Sequence, residues 1–323
     1  MDNKFIGIDI SKQTFDASFQ VDNKWHFFSL NNKVDGFKAL AKHLDPADVL
    51  VMEASGPYYL VLANYFYSKG FRIVVVNPLV IKRYSQMRLY RAKTDKKDAQ
   101  TIAEYAASNE LRFWDPEEEQ VSRLKQLQTA IEGLQKASHQ ISRQLDAMRT
   151  TGLLDKELEK DLSQTIVYLK KKIQRLENRQ QQIAAKHYKQ TLEKLQTIPG
   201  IGKKTAVMLT IITNDFQKFD HYKKLIAYVG FSPRIYQSGS SINGKGHICK
   251  MGKAQIRKLL YMCTWSAKHS NKACMEMYER LKAKGKPERV IKIAIANKLI
   301  KQAFALIKNN QSYNENYQPK ACF

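Results

Sequence analysis

Four carboxylates stand where carboxylates are costly or tellingly paired. Asp9 sits inside the apolar run Phe5-Ile6-Gly7-Ile8-Asp9-Ile10, and Glu53 closes the run Val51-Met52-Glu53. An unpaired charge buried in such a run costs several kcal/mol, so something must neutralise it. Asp95 and Asp98 are three residues apart at the head of a stretch that continues helically through Ala99, Ile102, Ala103 and Ala106, so both project from one helical face. Thr94 is placed to cap that helix. Taken singly, each acid has a plainer reading, Asp95 and Asp98 as ordinary first-turn acids favoured by the helix dipole, and the strand acids are harder to dismiss. Four converging acids would repel one another. Two Mg2+ ions about 4 Å apart would hold them together and clamp both oxygens of a phosphoryl transfer, with Mn2+ as a substitute.

A second candidate lies in the C-terminal half. The segment Phe231-Ser232-Pro233-Arg234-Ile235-Tyr236-Gln237-Ser238-Gly239-Ser240-Ser241 runs into Lys245, His247, Lys250, Lys253, Arg257 and Lys258. A hydroxyl in this serine-rich, basic loop could attack a phosphodiester while the cations stabilise the charge that develops. Equally, the serines could only bind phosphate. Tyr236 is a rival nucleophile, set aside because enzymes that attack through tyrosine need arginines where this loop offers mostly lysine. Upstream, Ile198-Pro199-Gly200-Ile201-Gly202-Lys203-Lys204-Thr205-Ala206 reads as a helix–hairpin–helix turn presenting backbone N–H groups to a phosphate. A tight turn between two structural helices would use the same residues. Lys203, Lys204, Arg234, Lys245, Lys250, Lys253 and Arg257 make up the candidate nucleic-acid surface.

The elements that must position these groups follow from periodicity. Phe5–Ile10, Thr14–Gln20 and Trp25–Leu30 read as three consecutive strands, with Asp22-Asn23-Lys24 as a turn. Val34, Phe37, Leu40 and Leu44 recur at helical spacing, 49–52 is a buried-strand run, Tyr58–Lys69 is helical up to Gly70, and Phe71–Val76 is a strand stopped by Asn77-Pro78. Three hairpin-linked strands followed by alternating helices and strands suit an RNase H-like mixed sheet with flanking helices. A doubly wound nucleotide-binding fold suits them less, since it needs a helix and a glycine-rich turn after its first strand. In the RNase H-like order, strands one and four are neighbours, so Asp9 and Glu53 face each other.

From about residue 117 the pattern changes. Leu124, Leu127, Ile131, Leu134, Ser138, Ile141, Leu145 and Met148 follow a heptad seam, Thr150-Thr151-Gly152 breaks it, and Ile166, Leu169, Ile173, Leu176, Gln180 and Ile183 resume it. The spacing predicts an antiparallel coiled-coil hairpin, either an arm packing only on itself or a surface for dimerisation or RNA. The expected organisation is a catalytic domain over 1–115, the hairpin over 116–190, and a mainly helical domain over 191–323. In that last domain a flexible loop spans 237–246, and the tail from Asn309 is poorly ordered.

Charge points to a polyanionic partner. The 323 residues carry 54 Lys and Arg against 30 Asp and Glu, a net +24. Residues 191–323 hold 24 basic and 7 acidic side chains, so +17 of that excess lies there. Cys249, Cys263, Cys274 and Cys322 show no paired spacing and read as reduced thiols of a cytoplasmic protein. The apolar runs are too short or too charged for a membrane span.

Ile6-Gly7-Ile8-Asp9, Glu53-Ala54-Ser55-Gly56-Pro57-Tyr58, Asn77-Pro78 and Lys93-Thr94-Asp95-Lys96-Lys97-Asp98-Ala99 resemble the DEDD-type transposases of the insertion sequence one-ten group and their DNA-invertase relatives. The resemblance spans roughly residues 4–310, and Pro57 departs from it where a threonine-like residue is usual. It implies a RuvC-like domain with Asp9, Glu53, Asp95 and Asp98 as Mg2+ ligands. The Ser-Gly-Ser-Ser match places a nucleophilic serine at Ser238, with Ser240 and Ser241 as fallbacks. It further implies a covalent serine–DNA bond, sites shared between protomers of a homodimer or homotetramer, and a structured guide RNA, encoded by the element, that pairs with DNA. Two other readings stand beside it: a junction-resolving or repair nuclease that uses water, and a binding protein whose acids are structural.

Overall fold

The computed structural model describes residues 4–90, 94–234, 237–238, 242–243 and 246–316, which fall into two units, 1–116 and 117–323. The first unit is built on β1 (Phe5–Ile10), β2 (Thr14–Val21), β3 (Lys24–Asn31), α1 (Val34–Ala41), β4 (Val49–Glu53), α2 (Tyr59–Ser68), β5 (Arg72–Val76), α3 (Pro78–Met87) and α4 (Asp95–Ser108). Its five strands lie in the order β3-β2-β1-β4-β5, antiparallel from β3 to β1 and parallel from β1 to β5. This is the mixed sheet expected of an RNase H-like domain.

Alternation along the strands gives the sheet two different faces. Ile6, Ile8 and Ile10 join Leu50, Met52 and Ile73 in a core that includes Phe37 and Leu40 of α1 and Leu62, Ala63 and Phe66 of α2. On the opposite face Val49, Val51, Val74 and Val76 pack with Ile81 of α3 and Ile102 and Ala106 of α4. Gly7 lies on this second face, where a Cβ would stand 2.1 Å from the Ala99 carbonyl oxygen and 2.3 Å from the Ala103 amide nitrogen. Glycine therefore lets the α4 backbone rest directly on β1.

Two local details differ from the periodicity reading. Val21 pairs with Lys24, so the β2–β3 turn is only Asp22 and Asn23, both at positive φ (48° and 59°). That is the geometry of a type I′ hairpin, whose twist matches the strands it joins. Asn77-Pro78 ends β5 but also starts α3: the Asn77 side chain accepts from the Leu79 amide at 2.9 Å, and Pro78 takes the first helical turn, where its missing N–H costs nothing.

The second unit holds α5 (Glu119–Arg149), α6 (Lys156–His187), α7 (Lys189–Gln196), α8 (Lys203–Thr213), α9 (Tyr222–Val229), β6 (Pro233–Arg234), β7 (Gln237–Ser238), β8 (Ile242–Asn243), β9 (His247–Ile248), α10 (Ala254–Ser270), α11 (Lys272–Ala283) and α12 (Glu288–Lys308). Helices α5 and α6 pack along each other as a hairpin, with Leu124, Ile131, Ser138 and Leu145 buried on α5. The base of the hairpin shares its core with the helices that follow, since Val121, Leu124, Ala184 and Tyr188 pack with Leu192, Leu209, Leu260 and Ile295. Within the loop expected over 237–246, β7 pairs with β8, and β6 pairs with β9 at its two ends, each over two residues. The tail is also tethered further than expected: the Tyr313 hydroxyl lies 3.2 Å from Asn271 Oδ1, and its amide donates to Thr197 Oγ1 at 2.9 Å. Among the described residues no helix is long and apolar enough to cross a membrane.

Because the helix backbone itself fills the space over Gly7, Gly7→Ala must push α4 off the sheet. The expected cost is at least about 2 kcal/mol of stability, read as a lower urea midpoint. An unchanged midpoint would contradict this packing.

Candidate active site

Register brings the strand acids together. Gly7 pairs with Val51 and Ile8 with Met52, so Asp9 and Glu53 are the next residues along two adjacent parallel strands, on the face covered by α4. Both are half-buried. Asp95 and Asp98 lie in the first turn of α4, which begins at Thr94, whose hydroxyl accepts from the Lys97 amide at 3.2 Å. Since Ala99 and Ala103 of α4 rest on Gly7, two residues before Asp9, the same contact that seats the helix carries its acidic turn to the end of β1.

The electrostatics report this gathering. Burial raises the Asp9 carboxyl above its ordinary value, and Asp98, Asp95 and then Asp16 raise it further, against a backbone hydrogen bond at Ile10 that lowers it. Asp16 is the acid that sequence reading missed. It pairs directly with Asp9 across β1 and β2 and shares its face of the sheet. The signal was present as an acid between Phe15 and Ala17 in an alternating strand. Lys97, within the same turn as the acids, reaches Glu104 at 3.7 Å and lies 4.0 Å from the Tyr90 ring centroid.

Carboxylates without histidine or cysteine make a donor set suited to hard, oxygen-preferring divalent cations. As placed, no three His, Cys, Asp or Glu among the described residues form a ready-made ion cage. The chemistry of the donors would suit Mg2+ or Mn2+.

In the second unit, Ser238 lies on β7 with its backbone paired to Ile242, next to the β6–β9 pair that holds Arg234 opposite His247. Tyr236, Ser240, Ser241 and Lys245 lie outside the described residues. Lys203, Arg234, Lys250 and Lys253 are exposed. Arg257 donates from Nη1 to the Val229 carbonyl at 2.8 Å, closing the end of α9. Lys204 meets both oxygens of the buried Glu177, at 2.8 and 2.7 Å. Gly200, at φ 102°, does more than shape a turn: a Cβ there would stand 2.7 Å from that of Ala267 on α10. The turn between α7 and α8 therefore has a packing role as well as exposed cations.

A family profile described as Transposase matches residues 6–151, and a second, described as Transposase IS116/IS110/IS902 family, matches residues 192–279. The pilin gene-inverting protein of Moraxella lacunata is 31% identical over 98% of this chain and 99% of its own length. The chain belongs to the IS110-type transposase/recombinase family. The corresponding protein of Moraxella bovis is equally similar. The transposase for insertion sequence element IS1111A of Coxiella burnetii is 24% identical over 80% of this chain and 76% of its own length. As a member of the IS110-type family, the protein is a DNA-recombining enzyme.

In this family member, the first profile spans all four acids and the second spans Ser238 together with Lys203, Lys204, Arg234, Lys245, Lys250, Lys253 and Arg257. The raised Asp9 pKa means that its ionisation opposes folding: the folded protein holds that proton more tightly than the unfolded chain does. In metal-free protein Asp9→Asn should therefore raise Tm by a few degrees at neutral pH, with the gain vanishing as pH falls below the Asp9 titration. A drop in Tm at neutral pH would contradict it. Lys204→Ala should lower stability by about 1 kcal/mol, discounted because the lysine is largely exposed while Glu177 is not. Lys203→Ala should leave stability within about 0.5 kcal/mol and instead weaken duplex binding with a shallower salt dependence. Denaturation curves and salt titrations of both variants separate the two roles.

Proposed function

We propose that this transposase cuts DNA strands and rejoins them to new partners through Asp9, Glu53, Asp95, Asp98 and Ser238, at sites chosen by a structured guide RNA that the element encodes. The observation that carries this reading is the meeting of Asp9 and Glu53 on adjacent strands beneath the acidic first turn of α4. Asp9, Glu53, Asp95 and Asp98 would hold the Mg2+ ions, which supply Lewis-acid neutralisation of phosphate charge when bound.

The chain's own groups do the rest. The Ser238 hydroxyl oxygen forms a bond to phosphorus, one bridging bond from phosphorus to deoxyribose breaks, and the hydroxyl proton passes to the departing sugar oxygen. The number of phosphodiester bonds is unchanged, so a sugar hydroxyl from another strand can reverse the step, restoring a DNA backbone and freeing Ser238 without an energy-rich cofactor. Exposed cations at Lys203, Arg234, Lys250 and Lys253 hold the phosphates on either side. Exchange between two DNA partners needs at least two such sites, hence a homodimer or homotetramer. The RNA partner rests on the family resemblance and on the +17 carried by residues 191–323.

The deciding experiment incubates the protein with Mg2+, element-end DNA and the element's flanking non-coding RNA, then denatures it and looks for labelled DNA that stays attached. The adduct should be lost in Ser238→Ala and in Asp9→Ala, and should need the RNA. Metal-dependent cutting without adduct, retained in Ser238→Ala, would instead establish a nuclease that uses water.

A further inference from the structure

The solvent face of α10 carries Lys258, Met262, Trp265 and His269, spaced four, three and four residues apart and all exposed. Trp265 is 52% exposed, an unusual setting for so large an apolar ring. It is also firmly seated. The Lys292 ammonium of α12 sits 3.6 Å from its ring centroid, and that side chain is only 6% exposed, so the cation braces the inner side of the indole. Lys268 lies 5.4 Å from the same ring and 5.0 Å from that of Tyr278. Glu288 fixes both lysines, at 3.7 Å from Lys268 and 3.3 Å from Lys292, and accepts from the Tyr278 hydroxyl at 2.9 Å. Two cations against one acid leave this cluster positive.

We infer that Trp265 is a stacking platform for an unpaired nucleobase of a bound nucleic acid strand, with the exposed Lys258 receiving a neighbouring phosphate. A rigid aromatic ring amid cations is the combination that binds single strands, because every base has a face to stack and every nucleotide a phosphate to neutralise. Charge complementarity selects this occupant over an apolar protein face: the ring stands on the part of the chain that carries +17, and the exposed cations Lys250 and Lys253 lead directly into α10. Lys258 and Trp265 are seven residues apart along one helix, about 10 Å, the reach of a few stacked nucleotides. The inference rests on the DNA-recombining function and adds a contact that strand separation or an RNA partner would present.

The test measures binding of a labelled single-stranded oligonucleotide of about a dozen nucleotides, as DNA and as RNA, beside an abasic DNA of equal phosphate number and a DNA duplex. Trp265→Ala should weaken single-strand binding about tenfold while Trp265→Phe keeps most of it, and duplex binding should not change. The abasic strand should bind the unsubstituted protein as poorly as the base-bearing strand binds Trp265→Ala. The tighter of the DNA and RNA arms identifies the natural strand. Equal affinity of Trp265→Ala and the unsubstituted protein, or undiminished binding of the abasic strand, overturns the inference. So does a change in assembly mass by light scattering with unaltered strand affinity, which would make the stripe a subunit interface. Failure of the unsubstituted protein to bind duplex or single strand would count against the nucleic-acid function itself.

Discussion

A helix can lie directly on a β-strand only where the strand has no side chain, and Gly7 provides that place. The Ala99 and Ala103 backbone occupies the volume a Cβ would need. The contact sets the height of α4 above the sheet, and Asp95 and Asp98 travel with the helix. β4 has independent reasons to sit beside β1, through parallel pairing and the valines it contributes beneath α3 and α4. Glu53 thus reaches the site by register and the two helical acids reach it by steric fit. Asp9 lies where both constraints meet, and its ionisation is made harder by burial and by Asp98, Asp95 and Asp16.

The second unit divides its charges differently. Its core is apolar and continuous from the base of the α5–α6 hairpin through α8, α10 and α12. Some of the cations above that core are committed to the fold, as with Lys204 on Glu177, Arg257 on the Val229 carbonyl and Lys292 beneath Trp265. Others, such as Lys203, Lys250 and Lys253, extend into solvent. A basic sequence is therefore partly structural, and only partner by partner does it resolve into cations that hold the protein and cations available to phosphate.

Most of the first unit was legible because its signals are local and repeated: alternating strands, a long helix capped by Thr94, and acids breaking apolar runs. The β1–β4 pairing followed from element order. The role of Gly7 was not legible, since a glycine in a strand weakens the periodic signal and only the third dimension shows what lies over it. Asn77-Pro78 was read as a stop although the same pair starts a helix, because the residues that end a strand are also those that cap a helix and open its first turn. In the second unit the ladders of β6 to β9 are two residues long, too short for alternation to register. Tyr313 hooking Asn271, and Lys204 meeting Glu177 from 27 residues away, are single tertiary contacts that composition cannot display.

The first turn of α4 brings more than two carboxylates to the end of β1. Its unsatisfied amides carry the positive end of the helix macrodipole, equivalent to about half an elementary charge. That charge belongs to the backbone, so neither pH nor a chelator removes it. It offsets part of the repulsion among the acids while the chain is still folding. The acidic turn can consequently fold on a charge of its own, unlike small zinc domains that stay unfolded until the metal arrives.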